Sequence, residues 1–153
     1  MQEPQVDDRY FPLVVNIIPE RIRAEHLPAF FAKSEAVLQR HEHYVTITDT
    51  TACRELPNAM VRKALADWSK QFEPLMKRYT VGSAIVITSP LVRGGLTALF
   101  WLAPPPYPQQ VVGTLAEAIE VVSRYYTANG RTLPEAFTRY GAETRIKQRR
   151  AAS

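Results

Sequence analysis

The sequence predicts an α/β fold, in which helices pack on a small, mostly parallel sheet of four strands. An uninterrupted apolar run at residues 84–87 is typical of a strand buried on both faces, and a turn at Ser89 and Pro90 leads from it into a short helix. Along the whole chain, strand-like runs alternate with helical stripes in the order β-α-β-α-β-α-β-α-α. Strands joined by helices run mostly parallel, because each helix serves as a crossover connection.

The N-terminal part of the chain contains one predicted strand and one predicted helix. Residues 1–8 are polar and acidic, and we expect them to form a disordered lead. The first strand is predicted at residues 13–18, a β-branched run bounded by Pro12 and Pro19. Apolar residues at a 3.6-residue spacing predict a helix that extends from Leu27 to about residue 43.

The middle of the chain contains the second strand and the strongest helical stripe. Alternating residues at 44–48 predict a strand that ends at Asp49. Asn58 is a suitable N-cap for the helix that follows it. Pro74 lies inside this helical stripe, so we expect a kink or a break near residues 71–73.

The C-terminal part follows the third strand, at residues 84–87. A helix at residues 91–102 is followed by a short edge strand at residues 111–112. Thr114 is predicted to cap the next helix, and Glu117 completes a capping box with it. A last helix begins near residue 133 and continues into a basic tail.

Composition indicates one soluble globular domain. The chain has 153 residues, of which 46% are hydrophobic and 22% charged. No apolar run approaches the roughly 20 residues that a membrane helix needs, and the polar N-terminus does not resemble a signal peptide. The single cysteine, Cys53, can form no internal disulfide. These features together predict a cytoplasmic protein.

The net charge of +4 is confined to the C-terminal end of the sequence. Residues 1–130 carry 13 basic and 13 acidic groups, so the whole excess comes from residues 131–153, which carry six basic and two acidic groups. The tail is therefore a candidate for weak contact with RNA, DNA or anionic lipid, and the alternative is a solvated helix. The basic residues concerned are Arg145, Lys147, Arg149 and Arg150.

Polar residues at the carboxyl ends of the predicted strands form a candidate rim for a partner or ligand. Its members are Asp49, Thr50, Thr51, Ser89 and Arg93. Open α/β sheets bind ligands at this edge, and a helix N-terminus beside Arg93 can hold an anion. However, the segment lacks both the GxGxxG and the GK[ST] pattern, so Gly94 and Gly95 alternatively allow close packing of the helix on the sheet.

Within the same rim, Thr50 and Thr51 are candidates for phosphorylation. A phosphoryl group there would lie close to a helix start, where negative charge is stabilised. The alternative is that Asp49 and the two threonines satisfy backbone groups of their own loop.

No metal site, cofactor or catalytic set is predicted from the remaining motifs. His41 and His43 fall at a helix end, where they do not share a face, and no further ligand completes a coordination sphere. Cys53 lies beside Arg54, which can lower a thiol pKa, but no partnered histidine can be assigned. Residues 104–108 contain a PPxY sequence, a ligand for proline-binding modules or, alternatively, a rigid exit loop.

As a whole the sequence resembles the STAS domains of small bacterial proteins, the anti-sigma-factor-antagonist fold, and more distantly the lipid-carrying CRAL-TRIO domains. The resemblance covers about residues 9–126, with a basic helical extension at 129–153. It is carried by residues 10–15, the strand that ends in Asp49, residues 62–68, residues 92–95 with 100–102, and residues 115–118.

The resemblance implies a non-enzymatic module that docks a regulator. In STAS antagonists a Ser or Thr at the start of the second helix is the phosphorylation switch, and the matching stretch here is residues 49–53. This stretch has the aspartate and the hydroxyls but neither Ser nor Gly, and the helix begins later, near Asn58. The additional N-terminal strand of that family is not predicted in this chain.

Three functions follow as hypotheses. The first is a cytoplasmic regulatory or protein-interaction module, with another protein or a second copy of the chain as its partner. The alternative is a binding domain for a lipid or nucleotide, held in a pocket under the helix at residues 91–102. The third is an enzyme, for which Asp49 and Arg93 are the polar pair to test.

Overall fold

The computed structural model describes residues 2–152. Within that part of the chain, one sheet contains five strands, which lie side by side in sequence order: β1 (Gln5–Tyr10), β2 (Leu13–Ile17), β3 (Tyr44–Asp49), β4 (Thr80–Val86) and β5 (Gln109–Val112). Five α-helices accompany it: α1 (Leu27–Leu38), α2 (Ala59–Tyr79), α3 (Pro90–Leu102), α4 (Leu115–Thr127) and α5 (Glu135–Ala152). The predicted α/β class and the mostly parallel sheet are confirmed, and the sheet has one strand more than predicted.

The additional strand is β1, the edge strand that pairs antiparallel with β2. It includes residues 5–8, which the sequence predicted to be disordered, so that prediction is wrong. Polar residues do not reveal an edge strand by periodicity, and β1 gains its order from backbone pairing with β2 instead. Tyr10 anchors its end, because its ring packs edge-on against Tyr140 and its hydroxyl donates to Glu143 of α5.

The strands β2 to β5 are parallel, and their register places alternate residues on opposite faces. One face packs against α4 and α5, and the core residues of this layer include Leu13, Ile47, Val86 and Val122. The opposite face carries α1, α2 and α3. The sheet is therefore the middle of three layers.

The C-terminal helix contributes to the core. Phe137 and Tyr140 of α5 are only 1% and 8% exposed and pack in the cluster under α4. The predicted last helix is present, since α5 begins at Glu135, close to the expected start near residue 133, but the first half of α5 is an integral part of the folded unit rather than an extension. The basic residues Arg145 and Lys147 are exposed in the second half of α5.

The helix boundaries agree with several local predictions. Asn58 caps α2, since its Oδ1 accepts from the Val61 N–H at 2.9 Å. Thr114 caps α4, with its hydroxyl oxygen accepting from the Glu117 N–H at 3.1 Å. Two observations differ from expectation. The helix α1 ends at Leu38 rather than near residue 43, and His41 beyond its end adopts a positive φ of 54°. Of the kink or break predicted near residues 71–73, the break is absent, because α2 is continuous through Pro74.

The helices are also informative about membranes. Across residues 2–152, none combines the length and the apolar character that spanning a bilayer requires.

Candidate functional site

The predicted rim begins with a local hydrogen-bonded turn after β3. Asp49 Oδ1 accepts from the backbone N–H of Thr51 at 2.9 Å and from its hydroxyl at 2.7 Å. This is the arrangement in which an aspartate and a threonine satisfy their own loop. Thr51 is nevertheless exposed, so its oxygen is accessible from solvent.

Thr50 has a different environment. Its hydroxyl donates to the Val86 carbonyl at 2.6 Å, and the residue is only 6% exposed. Its backbone N–H donates to the same carbonyl at 3.1 Å. Of the two predicted phosphorylation candidates, Thr51 is the one whose hydroxyl is accessible, while Thr50 links the loop to β4.

The other rim residues do not converge on Asp49. Ser89 caps α3 by accepting from the Val92 N–H at 3.3 Å, and Arg93 is exposed one turn later. In the described structure no ion pair joins Arg93 to Asp49. In the sheet register Asp49 is aligned with Ile17 and Val86, which pack against the α4 and α5 layer, whereas Thr50 faces the other layer. The five predicted residues thus belong to one edge but not to one site.

A cavity of about 330 Å³ lies on that other face, between the sheet and helices α1, α2 and α3. Its walls are apolar, and α3 supplies the largest share of them. The wall residues include Leu27, Phe30, Leu65, Val92, Leu96, Leu99 and Phe100. The sequence predicted a pocket under the helix at residues 91–102, and the cavity lies under α3.

The floor of the cavity is polar, although it belongs to a sheet. Thr46 and Ser83 are aligned on β3 and β4, and the Thr46 hydroxyl donates to Ser83 Oγ at 2.8 Å. Gln109 continues this row on β5, and Asn16 and Thr48 form a second row beside it. The floor therefore offers hydroxyl and amide groups, without charge, to whatever occupies the cavity.

Two tyrosines, the buried Tyr44 and the half-buried Tyr107, close the end of the cavity opposite the strand carboxyl ends. Thr80 donates a hydrogen bond to the Tyr44 hydroxyl at 2.9 Å, and burial raises the pKa of Tyr44 above its ordinary value. Burial also raises the pKa of Tyr107 to about 12. Both phenols are neutral at physiological pH, so this end of the cavity carries no charge.

Arg62 provides the charge at the cavity mouth. Among the described lining residues it alone carries a formal charge, and it is exposed in the first turns of α2. Its guanidinium donates to the Pro57 carbonyl at 3.1 Å, which holds it beside the opening. The remaining N–H groups are available to an anionic group that enters there.

The loop at residues 50–58 forms one side of the mouth. Cys53, Leu56 and Pro57 line the cavity, and Leu56 packs so closely on Gly95 of α3 that a Cβ there would collide with it. Gly95 thus allows α3 to approach this loop. A Cβ on Gly94 would have nothing within 4 Å, so the predicted packing role on the sheet is wrong for Gly94.

The remaining sequence motifs form no further site in the described part of the chain. His41 and His43 pack against the ring of Tyr79, and no group of three potential metal ligands occurs within residues 2–152. Burial raises the pKa of the Cys53 thiol, and the thiol also donates to the Glu55 carbonyl at 3.3 Å, so this environment opposes a thiolate activated by Arg54. In the proline segment, Tyr107 packs into the cavity wall.

Sequence reasoning missed the polar floor. Thr46 and Thr48 entered the prediction only as part of an alternating strand, and Ser83 precedes the apolar run that predicts β4. The available signal was the apolar run at residues 84–87, which predicts a strand in the middle of a sheet covered on both faces. Hydroxyl residues on such strands face a buried space, which needs polar groups only if something polar enters it.

The chain was also compared with known proteins. No protein-family model matches it, and no curated protein matches it either.

Proposed function

We propose that this protein binds a small amphipathic molecule with a single apolar chain in the cavity beneath α3. The cavity itself carries the proposal. Its volume of about 330 Å³ falls at the lower end of the roughly 300–1,000 Å³ of ligand pockets. Its apolar walls with a few polar groups also match the composition of such sites.

The lining favours a lipid over a nucleotide. A nucleotide brings phosphates, which proteins hold with several cations or with a glycine-rich loop. Here Arg62 is the one charged group among the described lining residues, and it stands at the mouth. A fatty acid or a similar single-chain amphiphile fits this lining, with its chain against Leu96 and Phe100 and its acidic group at Arg62.

A cavity-filling variant tests the proposal. Leu65 of α2 lines the cavity, whereas the adjacent Ala66 is exposed, so the two positions form a matched pair. We expect Leu65→Trp to weaken binding of a fluorescent fatty acid at least tenfold, because the indole occupies space that the chain needs. Ala66→Trp should bind as the unmodified protein does. Equal binding by the two variants, both folded by circular dichroism, would refute the proposal.

Cys53 gives an independent readout of the same site. It is the single cysteine of the chain and it lines the cavity, so labelling by a thiol reagent reports on one position. We expect a saturating fatty acid to slow this labelling at least tenfold. An unchanged labelling rate at saturation would contradict binding in this cavity.

A second candidate function is the regulatory interaction module that the STAS-like resemblance suggests. The observation that favours it is the exposed Thr51 hydroxyl, held against Asp49 at the carboxyl edge of the sheet. The test is phosphosite mapping by mass spectrometry on protein isolated from cells that produce it naturally. Phosphate on Thr51 supports this function, and its absence from growing and stressed cells argues against the switch.

A further inference from the structure

The outward face of α3 is unusually apolar. The face of the helix directed to the cavity carries Val92, Leu96 and Phe100. The opposite face carries Leu91, Gly94, Thr97, Ala98 and Trp101, all of which are exposed. Leu91 is 60% exposed and Trp101 86%. We call this second surface the α3 face.

A helix that is apolar on both sides is normally buried on both sides. On α3 the single charged residue is Arg93. Six large apolar residues of the described chain are exposed. Four of them lie on α3 or in residues 56–60, a segment whose Leu56 packs against Gly95 of α3. These four are Leu56, Met60, Leu91 and Trp101. Much of the exposed apolar area thus lies on α3 and the neighbouring residues 56–60, as expected where another surface docks.

The charges around the α3 face are basic. Residues 50–62 and α3 together contain three arginines, Arg54, Arg62 and Arg93, and one carboxylate, Glu55. Glu55 forms an ion pair with Arg21 at 2.7 Å, so it does not neutralise the three. A second copy of the chain docked through the same face would place three further arginines against these. An anionic surface complements it.

We propose that the α3 face docks on an anionic membrane surface, with the side chains of Leu91 and Trp101 entering the bilayer interface. Tryptophan is favoured at that depth, and arginines beside an apolar helix face strengthen attachment to anionic lipids. The inference rests on the proposed function. Because α3 is both the docked helix and a wall of the cavity, docking would bring the cavity close to the bilayer from which an amphiphile is taken up.

Tryptophan fluorescence reports the docking directly. The chain has two tryptophans, and Trp68 is half-buried against Phe31 with a ring separation of 5.4 Å. A Trp68→Phe background leaves Trp101 as the only reporter. We expect its emission to shift to shorter wavelength with vesicles of 70% phosphatidylcholine and 30% phosphatidylglycerol. Vesicles of pure phosphatidylcholine should produce at least tenfold weaker binding, and 0.5 M NaCl should weaken the anionic binding strongly.

Vesicle co-sedimentation of point variants identifies the surface. A double variant, Leu91→Ser with Trp101→Ser, should bind the anionic vesicles at least tenfold more weakly. The matched control is Leu133→Ser with Ile146→Ser, which removes two exposed apolar residues that lie outside the α3 face. We expect this control to bind normally. Equal binding by the two double variants, or no emission shift of Trp101, would overturn the proposal.

Light scattering tests whether a second copy of the chain occupies the α3 face instead of a membrane. A dimer in light scattering that Trp101→Ser converts to a monomer would assign the face to a second copy and overturn membrane docking. Failure of the proposed function is recognised separately, because fatty-acid binding is measured without vesicles. Leu65→Trp should lose that binding while retaining vesicle binding.

Discussion

Gly82 and Gly94 differ in how much space surrounds the position that a side chain would occupy. Gly82 lies in the buried strand β4, and a Cβ there would overlap the Cβ and ring of Tyr125 on α4. That contact involves the inner part of the tyrosine side chain, which cannot move without shifting the helix. Gly94 lies in α3 with open space where its side chain would be.

We therefore expect Gly82→Ala to lower the free energy of unfolding by about 1–3 kcal/mol, the range for overpacking a core. Urea denaturation followed by circular dichroism measures the change. A loss below about 0.5 kcal/mol would mean that α4 adjusts freely to the strand.

The matched control is Gly94→Ala. Alanine is favoured over glycine inside a helix by about 1 kcal/mol, and nothing obstructs it here, so this variant should be as stable as the unmodified protein or more stable. Both changes add one methyl group, so a loss of stability at Gly82 alone indicates the close approach of β4 and α4.

At the level of elements, α2 shows tertiary packing overriding a local signal. A proline inside a helix removes one backbone hydrogen bond and favours a kink or break. Nevertheless α2 extends over 21 residues through Pro74. Residues on both sides of the proline, Phe72 and Met76 among them, pack in the same apolar cluster against α1 and the sheet. Burial of both halves keeps the helix continuous.

Pro74→Ala should therefore stabilise the protein, because it restores a helical N–H without disturbing a buried contact; Pro74 itself is exposed. We expect a gain of about 1–3 kcal/mol, visible as a higher midpoint of thermal unfolding. The neighbouring exposed residue supplies the control, since Glu73→Ala changes helix propensity only slightly. A lower midpoint for Pro74→Ala would show that the proline ring contributes to packing.

For the molecule as a whole, the central question is where the folded unit ends. The chain divides by charge near residue 130, yet the core does not follow that division. Phe137 is among the most buried side chains, and α5 contacts both α4 and β1. The N-terminal strand β1 and the C-terminal helix α5 thus pack together, because Tyr10 contacts both Tyr140 and Glu143.

If α5 belongs to the core, Phe137→Ala should lower the free energy of unfolding by about 3–5 kcal/mol, the usual loss for a buried phenylalanine. Ile146 lies on the same helix and is 51% exposed, so Ile146→Ala should change stability by no more than about 0.5 kcal/mol. Urea denaturation of both variants measures the two losses. Similar values for the two would contradict the assignment of α5 to the core.

The sequence by itself determined the elements whose signals are local. The caps at Asn58 and Thr114 and the apolar run of β4 were predicted because each depends on neighbouring residues. These signals were enough for the α/β class and for the candidate rim at the carboxyl edge.

Tertiary structure decided what depends on distant partners. The strand β1 has no apolar pattern and forms only because β2 offers it backbone groups to pair with. Phe137 lies in the basic C-terminal part of the sequence, where no local pattern marks it as a core residue, because its burial depends on packing against α4. The cavity depends on the distance between three helices and the sheet. Its floor is formed by residues of the sheet, Thr46 and Ser83 among them. The element order was enough to suggest a pocket under the helix at residues 91–102, but its size and its polar floor depend on the packing distances between elements, which no local pattern in a sequence encodes.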